Sequence, residues 1–175
     1  HFLFDVAPEK IAVVIHPQSV IHSLVEFVDG SYLAQISIND MKFPILYAIS
    51  YPERLANPFG RLDLVDVGKL EFFDLEQERY PLVGVARAAL SEGGMPAVVN
   101  AANEIAVAAF LDGKISFPGI VRVVAETASA AGRVPSPGSL DEAEEIDQMA
   151  RRRAAEVVNS LSRKAKKVSI QGAFG

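Results

Sequence analysis

The first half of the chain places short apolar runs between turn-forming residues, a pattern that predicts β-strands. Residues 11–15 form a run rich in β-branched side chains, which predicts a strand covered on both faces. Residues 23–28 and 32–38 alternate apolar and polar positions, and the Asp29-Gly30 pair between them favours a tight hairpin turn with positive φ angles. Because a two-stranded hairpin is not stable alone, we expect it to extend a larger sheet.

Prolines and glycines divide the rest of the chain into helices and connections. Pro44 fits the first turn of a short helix that ends near Pro52. Residues 53–79 are punctuated by further prolines and glycines, and we interpret them as a linker with one or two short strands. From residue 80 onward the apolar positions follow a helical period, which predicts a bundle packed against the sheet. Its four helices run from 81 to the glycine pair at 93–94, over 96–111, over 116–131, and onward from a capping box at 139–142.

Composition and charge narrow the class of protein. The chain has 175 residues, half of them apolar, which suits one ordinary domain or two small ones. The net charge of -5 argues against a general nucleic-acid binder, whose binding surface is basic. The absence of cysteine removes disulfides, thiolate nucleophiles and cysteine-based zinc sites. The longest apolar run, 105–111, is far shorter than the roughly 18 residues of a membrane span.

The segment 16–23, with the letters HPQSVIHS, carries the most unusual polar pattern in the chain. His16 and His22 are six residues apart, which matches no common zinc motif, so a histidine metal site stays one interpretation. The other interpretation is that each histidine packs and forms a local hydrogen bond. Ser19 lies close to His22, but we do not interpret the two as a nucleophile and its base, because no G-x-S-x-G motif is present.

A second polar cluster lies in the helix predicted over 96–111. Asn100, Asn103 and Glu104 share one face by their spacing, whereas nearly all other residues of this helix are apolar. A helix that is apolar almost all round is expected to be buried, so this cluster should find polar partners inside the protein. We interpret it as a structural cluster that docks the helix onto the sheet rather than as a catalytic group.

Several motifs, in one order, resemble the C-terminal portion of the 1-deoxy-D-xylulose 5-phosphate reductoisomerase family. The two long ones are HPQSVIHS at 16–23 and NAANEIAVAAFL at 100–111. Shorter ones are DGS at 29–31, DM at 40–41, YPER at 51–54 and RYP at 79–81. The similarity extends from residue 1 to about residue 160. Because the chain also begins with His1 and no signal-like stretch follows, we expect the back portion of a longer protein.

The resemblance implies an NADPH-dependent oxidoreductase and isomerase of the non-mevalonate pathway of isoprene biosynthesis. Such an enzyme converts 1-deoxy-D-xylulose 5-phosphate to 2-C-methyl-D-erythritol 4-phosphate with Mg²⁺ or Mn²⁺, and it is a homodimer. The implied fold of this chain is α+β: a partial central catalytic-domain sheet with a hairpin, then a C-terminal four-helix bundle. Its implied parts are the second half of the central catalytic and dimerisation domain at 1–52, a linker at 53–79 and the helical bundle at 80–163. The tail at 164–175 matches none of the family motifs, and we expect it to be disordered.

The resemblance also places three residues at the border of the substrate pocket. Ser19 and Met41 match family positions there, and His22 would steady the metal-binding carboxylate or the bound substrate rather than act as the sole acid or base. The chain departs from the family at residues 37–41, where many members carry Gly-x-Pro-Asp-Met. No metal ligand and no NADPH-binding residue is expected in this chain, so we expect the 175 residues alone to be inactive.

The alternative interpretation is a non-catalytic assembly or dimerisation module derived from the same family. The open edge of an incomplete sheet favours self-association in either case. The expected small-molecule partner is a phosphosugar, and no nucleic-acid or membrane partner is expected. The last helix has an acidic start and a basic end, which complements its dipole and needs no RNA to explain it. The resemblance implies a cytoplasmic location in a bacterium, with a plastid origin as the alternative.

Overall fold

A computed structural model describes the backbone of residues 1 and 3–172 and the side chains of residues 1 and 3–163. The chain divides into two compact units. The strand unit is Ala12–Leu75, and the helical unit combines His1–Ile11 with the chain from Glu76 onward. The domain boundaries expected near 52, 79 and 163 stay predictions. The tail expected at 164–175 has no described side chains, and residues 173–175 lie outside the described residues.

The strand unit contains two antiparallel strand pairs among its described residues. β1 (Val14–Ile15) pairs with β4 (Phe73–Asp74), and β2 (Ile21–Glu26) pairs with β3 (Tyr32–Ile36). The strand predicted over 11–15 is shorter than expected, because β4 offers it only two pairing residues. Val13 and Val14 are exposed in this chain, which contradicts the expectation of a strand covered on both faces.

The hairpin between β2 and β3 turns through a three-residue loop, not the two-residue turn predicted. The Phe27 N–H donates to the Ser31 carbonyl at 2.9 Å, and the Gly30 N–H donates to the Phe27 carbonyl at 2.9 Å. Of the loop residues, Gly30 alone has a positive φ, +81°. Asp29 holds the loop because its carboxylate accepts from the hydroxyl of Ser31 at 2.6 Å and from its N–H at 2.9 Å. These hydrogen bonds lower the pKa of Asp29.

The strand unit also contains two helices, one before the segment predicted as a linker at 53–79 and one within it. α1 (Lys42–Ser50) begins two residues before Pro44 and ends before Pro52, as predicted. α2 (Leu64–Val67) was missed. Its N-terminus is capped by Asp63, whose carboxylate accepts from two backbone N–H groups, and it ends at Gly68 with φ +70°. Both are helix-end signals, but four residues are too few to produce a helical period.

The described part of the helical unit consists of a short 3-10 helix and four α-helices. They are Pro8–Lys10, then α3 (Pro81–Leu90), α4 (Met95–Leu111), α5 (Phe117–Ala131) and α6 (Leu140–Gly172). α4 packs against both α5 and α6. Fully buried valines and alanines form the contact, among them Val98, Ala102, Val123 and Ala154. Small side chains let the helix backbones approach closely and pack without voids. Among the described helices, none has the length and hydropathy needed to cross a lipid bilayer.

The capping box predicted at the start of α6 is only half formed. The Ser139 hydroxyl accepts from the Glu142 N–H at 3.2 Å, as predicted. The Glu142 carboxylate, however, accepts from the Gly138 N–H at 2.6 Å instead of the Ser139 N–H. The N–H of Gly138, one residue further from the helix, therefore donates the hydrogen bond that a capping box takes from the N–H of Ser139.

Thr127 is the polar exception in the core of the helical unit. Its side chain is 1% exposed, and its hydroxyl has no hydrogen-bond partner among the described residues. We expect Thr127→Val to raise the free energy of unfolding by about 1 kcal/mol, because valine has the same shape without the buried hydroxyl. Urea unfolding followed by circular dichroism measures the change. Thr127→Ser is the control, since it keeps the hydroxyl and removes a buried methyl group. A stabilised Thr127→Ser or a destabilised Thr127→Val would contradict the argument.

Candidate functional site

Residues 16–19 form a turn that presents Ser19 to solvent. The Ser19 N–H donates to the His16 carbonyl at 3.1 Å, with Pro17 in the second position of the turn, where its fixed φ is favourable. Ser19 has a φ of +52°, in the left-handed region that residues with a Cβ rarely adopt. Backbone strain of this kind is concentrated at functional sites, where the surrounding structure must hold it.

His22 occupies an irregular position in β2. Ile21 pairs with Ile36 and Ser23 pairs with Gln35, so His22 is the extra residue between two successive pairs of the ladder. Its Nε2 donates to the Ser37 carbonyl at 3.2 Å. A β-bulge of this kind changes the direction of one side chain and is common beside active sites. The bulge therefore gives His22 an orientation that the regular alternation of the strand would not provide.

Met41 lies at the N-terminus of α1, at the end of the chain segment that follows β3. Its side chain is 70% exposed. The preceding Asp40 holds this helix start, because its carboxylate accepts from the Lys42 N–H at 2.9 Å and pairs with the Lys42 ammonium at 3.1 Å. The backbone and side-chain bonds to Lys42 lower the pKa of Asp40. Asp40 therefore gives Met41 and the start of α1 an ordered backbone.

A cavity of about 710 Å³ opens within the strand unit beside these residues. Its lining includes His22, Met41 and Arg54, the last with its guanidinium 3.7 Å from the centre of the Tyr47 ring. A mixture of apolar walls and a few polar groups is typical of small-molecule pockets. Ser19 does not line the cavity, but Asn39, which does, reaches its hydroxyl at 3.5 Å. The structure therefore brings His22 and Met41 to one cavity and leaves Ser19 at its edge.

The polar cluster on α4 is exposed in this chain, which contradicts its predicted burial. Asn100, Asn103 and Glu104 all lie on the exposed face of the helix. The prediction is wrong because the many alanines of this helix do not require burial. Alanine is also the best helix former and is tolerated at exposed positions, as Ala108 on this face demonstrates.

This exposed cluster is joined to α6 by an ion pair. The Asn100 amide donates to Glu104 at 3.1 Å, and the Arg151 guanidinium donates to the second oxygen of Glu104 at 2.6 Å. Arg151 also donates to Asp147 at 2.6 Å. The bonds from Arg151 and Asn100 lower the pKa of Glu104. The cluster thus connects two helices of the same unit, and it carries no arrangement that indicates catalysis.

The two histidines of the 16–23 segment bind different carbonyl groups. His16 donates from Nδ1 to the Glu71 carbonyl at 2.9 Å, whereas His22 donates to Ser37. Each histidine thus forms a hydrogen bond, but the partners lie 55 and 15 residues away in the chain instead of nearby, as the local interpretation predicted. Within the described residues, no group of three or more His, Cys, Asp or Glu side chains could hold a metal ion. These residues do not fit a metal site by themselves, and no reaction step through a metal follows from them.

Comparison with known proteins identifies the family. Residues 36–153, more than half of the chain, match the family described as DXP reductoisomerase C-terminal domain. The chain belongs to the DXP reductoisomerase family. The family prediction from the sequence motifs is therefore confirmed.

Curated DXP reductoisomerases and solved structures agree with this result. The 1-deoxy-D-xylulose 5-phosphate reductoisomerase of Caulobacter vibrioides is 50% identical over 173 residues, which cover 94% of this chain and 43% of that protein. The one from Trichlorobacter lovleyi is 48% identical over 163 residues, covering 91% and 41%. The Zymomonas mobilis structure in complex with NADPH has a TM-score of 0.82 at 43% identity, covering 89% and 41%. A DOX-P reductoisomerase structure with fosmidomycin and magnesium has a TM-score of 0.80 at 38% identity, covering 92% and 42%.

The chain spans about two fifths of the length of these DXP reductoisomerases. The structural match supports a mixed fold of helices and small strands. Three residues of the cavity lining, Asn39, Tyr47 and Arg54, were not singled out from the sequence. The YPER motif contains Arg54, but a motif does not indicate which way an arginine side chain points. The roles of Ser19, His22 and Met41 stay predictions.

Proposed function

We propose that this chain is the C-terminal part of an enzyme that converts 1-deoxy-D-xylulose 5-phosphate to 2-C-methyl-D-erythritol 4-phosphate. The observation that carries the proposal is the family match over residues 36–153, within which Met41 and most of the cavity lining lie. The chain supplies a wall of the substrate pocket and a helical scaffold. NADPH and Mg²⁺ or Mn²⁺ are held by portions of the protein outside this chain, where they supply the hydride and polarise the substrate carbonyl.

His22 has a defined tautomer in this proposal. The nitrogen that donates to the Ser37 carbonyl must carry a proton, so Nδ1 is the acceptor when the ring is neutral. An acceptor fixed in this way can hold a substrate hydroxyl or orient a neighbouring polar group. His22 therefore acts as a positioning residue that steadies the substrate. It would reach a metal-binding carboxylate, which only accepts hydrogen bonds, through a donor group that Nδ1 orients. Ser19, with an exposed hydroxyl at the cavity edge, can bind an oxygen of the phosphosugar.

The two units have separate roles in the proposed enzyme. Residues 1–52, which include β1 to β3 and α1, correspond to the second half of the central catalytic domain. Residues 53–79 correspond to the linker, and residues 80–163 correspond to the supporting four-helix bundle. The hairpin exposes apolar side chains that an intact protein would cover, namely Leu24, Val25, Phe27, Tyr32 and Leu33. These exposed side chains support a homodimer or a contact with upstream parts of the enzyme. The proposed location is the cytoplasm.

A turnover assay tests the proposed function and the division of roles together. We expect the protein that carries this chain with its upstream portion to oxidise NADPH when given Mg²⁺ or Mn²⁺ and 1-deoxy-D-xylulose 5-phosphate. We expect the 175-residue chain alone to show no turnover, because its described residues contain no cluster of three or more His, Cys, Asp or Glu side chains that could hold the metal ion. Activity of the chain alone would contradict the division of roles. A longer protein that folds, dimerises and lacks activity would instead support the assembly module.

Self-association of the chain is expected from the open hairpin. Sedimentation velocity over a concentration series should show dimers or larger species, because exposed strands with apolar side chains pair with other strands. Leu33→Lys should shift the distribution toward monomer, since Leu33 lies on the hairpin and is 65% exposed. Leu140→Lys is the matched control, because Leu140 is similarly exposed but lies at the start of α6 in the helical unit. A clean monomer at high concentration would contradict the expectation.

A further inference from the structure

Glu71, in the segment that precedes β4, contacts the turn that carries Ser19 through its backbone N–H, its backbone carbonyl and one carboxylate oxygen. We propose that Glu71 is a positioning residue for the substrate pocket, which it serves by holding the 16–19 turn in its strained conformation. The inference deepens the proposed function and rests on it, because Ser19 matters only if the pocket binds the phosphosugar. Sequence motifs gave no indication of this role, since Glu71 lies 53 residues from Gln18 in the chain.

Three hydrogen bonds join Glu71 to the turn. Its carboxylate accepts from the Gln18 amide at 2.7 Å, and its N–H donates to the Gln18 side-chain oxygen at 3.1 Å. Its carbonyl accepts from His16 Nδ1 at 2.9 Å. The second carboxylate oxygen accepts from Lys69 at 2.9 Å, so the side chain is held from its own segment as well. The two bonds between Glu71 and Gln18 have the paired form that fixes orientation as well as distance.

Ring packing on the same segment completes the contact. The His16 imidazole stacks on Phe72, with ring centres 5.0 Å apart and an angle of 17° between the planes. Its Nε2 is buried and has no partner among the described residues. The nitrogen that donates to the Glu71 carbonyl must carry a proton, so the neutral ring is protonated on Nδ1. The His16 side chain is therefore restricted to one tautomer and one orientation.

The turn needs such support because of Ser19. A residue with a Cβ at a φ of +52° is strained, and strain persists only where neighbouring contacts determine the backbone. Pro17 restricts the start of the turn, and Glu71 fixes Gln18 immediately before Ser19. Without the Glu71 carboxylate, the Gln18 amide loses its acceptor and only the two bonds to the backbone of residue 71 remain. The turn would then relax, and the Ser19 hydroxyl would leave its place at the cavity edge. Loss of Glu71 should thus weaken substrate binding more than it affects other steps.

Steady-state kinetics of the intact protein with Glu71→Ala test this role. We expect the KM for 1-deoxy-D-xylulose 5-phosphate to rise roughly tenfold, with kcat changed less than about threefold and the KM for NADPH unchanged. Glu71→Gln should recover most of the loss, because its amide oxygen still accepts from Gln18. Glu78→Ala is the matched control: it removes an exposed carboxylate outside the contact with the turn and should leave the KM near wild type.

Amide hydrogen exchange separates failure of this inference from failure of the proposed function. In Glu71→Ala, peptides that cover residues 16–20 should exchange faster than in wild type, whereas peptides of the helical unit should not change. An unchanged exchange rate, an unchanged KM, or a parallel rise in the KM of substrate and NADPH would overturn the role of Glu71. Wild-type protein without turnover would contradict the proposed function, and a normal exchange rate in Glu71→Ala would still overturn the contact with the turn.

Discussion

Gly93→Ala is expected to lower the free energy of unfolding of the helical unit by about 3 kcal/mol. Gly93 has a φ of +45°, which is strained for any residue with a Cβ. A Cβ here would overlap the carbonyl oxygen of Val134 and lie 2.7 Å from the backbone nitrogen of Ser136. These neighbours are backbone atoms, so they cannot move aside as a flexible side chain would. Urea unfolding followed by circular dichroism at the helix band measures the loss.

Two other glycines separate the contributions to this effect. Gly113 has a φ of +68° but open space around its Cβ position, so Gly113→Ala should cost only the conformational part, about 1 kcal/mol. Gly84 lies in α3, and nothing would contact its Cβ. Gly84→Ala should therefore stabilise the chain by roughly 0.5–1 kcal/mol. Equal effects at positions 93 and 113 would show that the Val134–Ser136 backbone is not the obstacle.

His22→Ala is expected to lower kcat/KM of the intact enzyme about 10- to 100-fold. The substitution removes a cavity wall and the hydrogen bond to Ser37, so the group that His22 orients loses its support. NADPH binding, followed by fluorescence, should not change, because the proposal places the nucleotide outside this chain. A variant within twofold of wild-type activity would contradict the role assigned to His22.

His22→Gln distinguishes positioning from proton transfer. A glutamine amide can still donate to the Ser37 carbonyl, but it cannot act as a general acid or base near neutral pH. If His22 positions its neighbours, the glutamine variant should recover much of the activity lost in the alanine variant. If instead both variants lose activity equally and the pH profile changes shape, His22 takes part in proton transfer.

The helices were predictable because their ends depend on nearby residues. The helix predicted over 96–111 is Met95–Leu111, and the one predicted over 116–131 is Phe117–Ala131. Proline in the first turn and glycine just after the end are local signals that act within a few residues. The half-formed capping box at Ser139 marks the limit of this approach. The Gly138 N–H, in place of the Ser139 N–H, donates to the Glu142 carboxylate, and this choice depends on how the preceding loop approaches α6.

The strand unit was predicted less well because strands depend on their partners. The alternation over 23–28 identified β2, but it could not reveal the bulge at His22, which arises from the register with β3. The hairpin loop also differs, because Asp29 uses its carboxylate to bind Ser31 instead of adopting a positive φ. The sequence pattern indicates which residues alternate, but it does not indicate where one strand has an extra residue opposite its partner.

The sequence by itself determined the family, the positions of the main helices, and a short set of candidate residues: Ser19, His22 and Met41. The tertiary structure alone decided that the cluster at Asn100 is exposed, that His22 lies in a bulge, and that Glu71 holds the turn before β2. The physical reason is distance along the chain. Caps and helical periods result from residues within about four positions of one another. The bonds to Glu71 join residues 53 and 55 positions apart, and only folding brings such residues together.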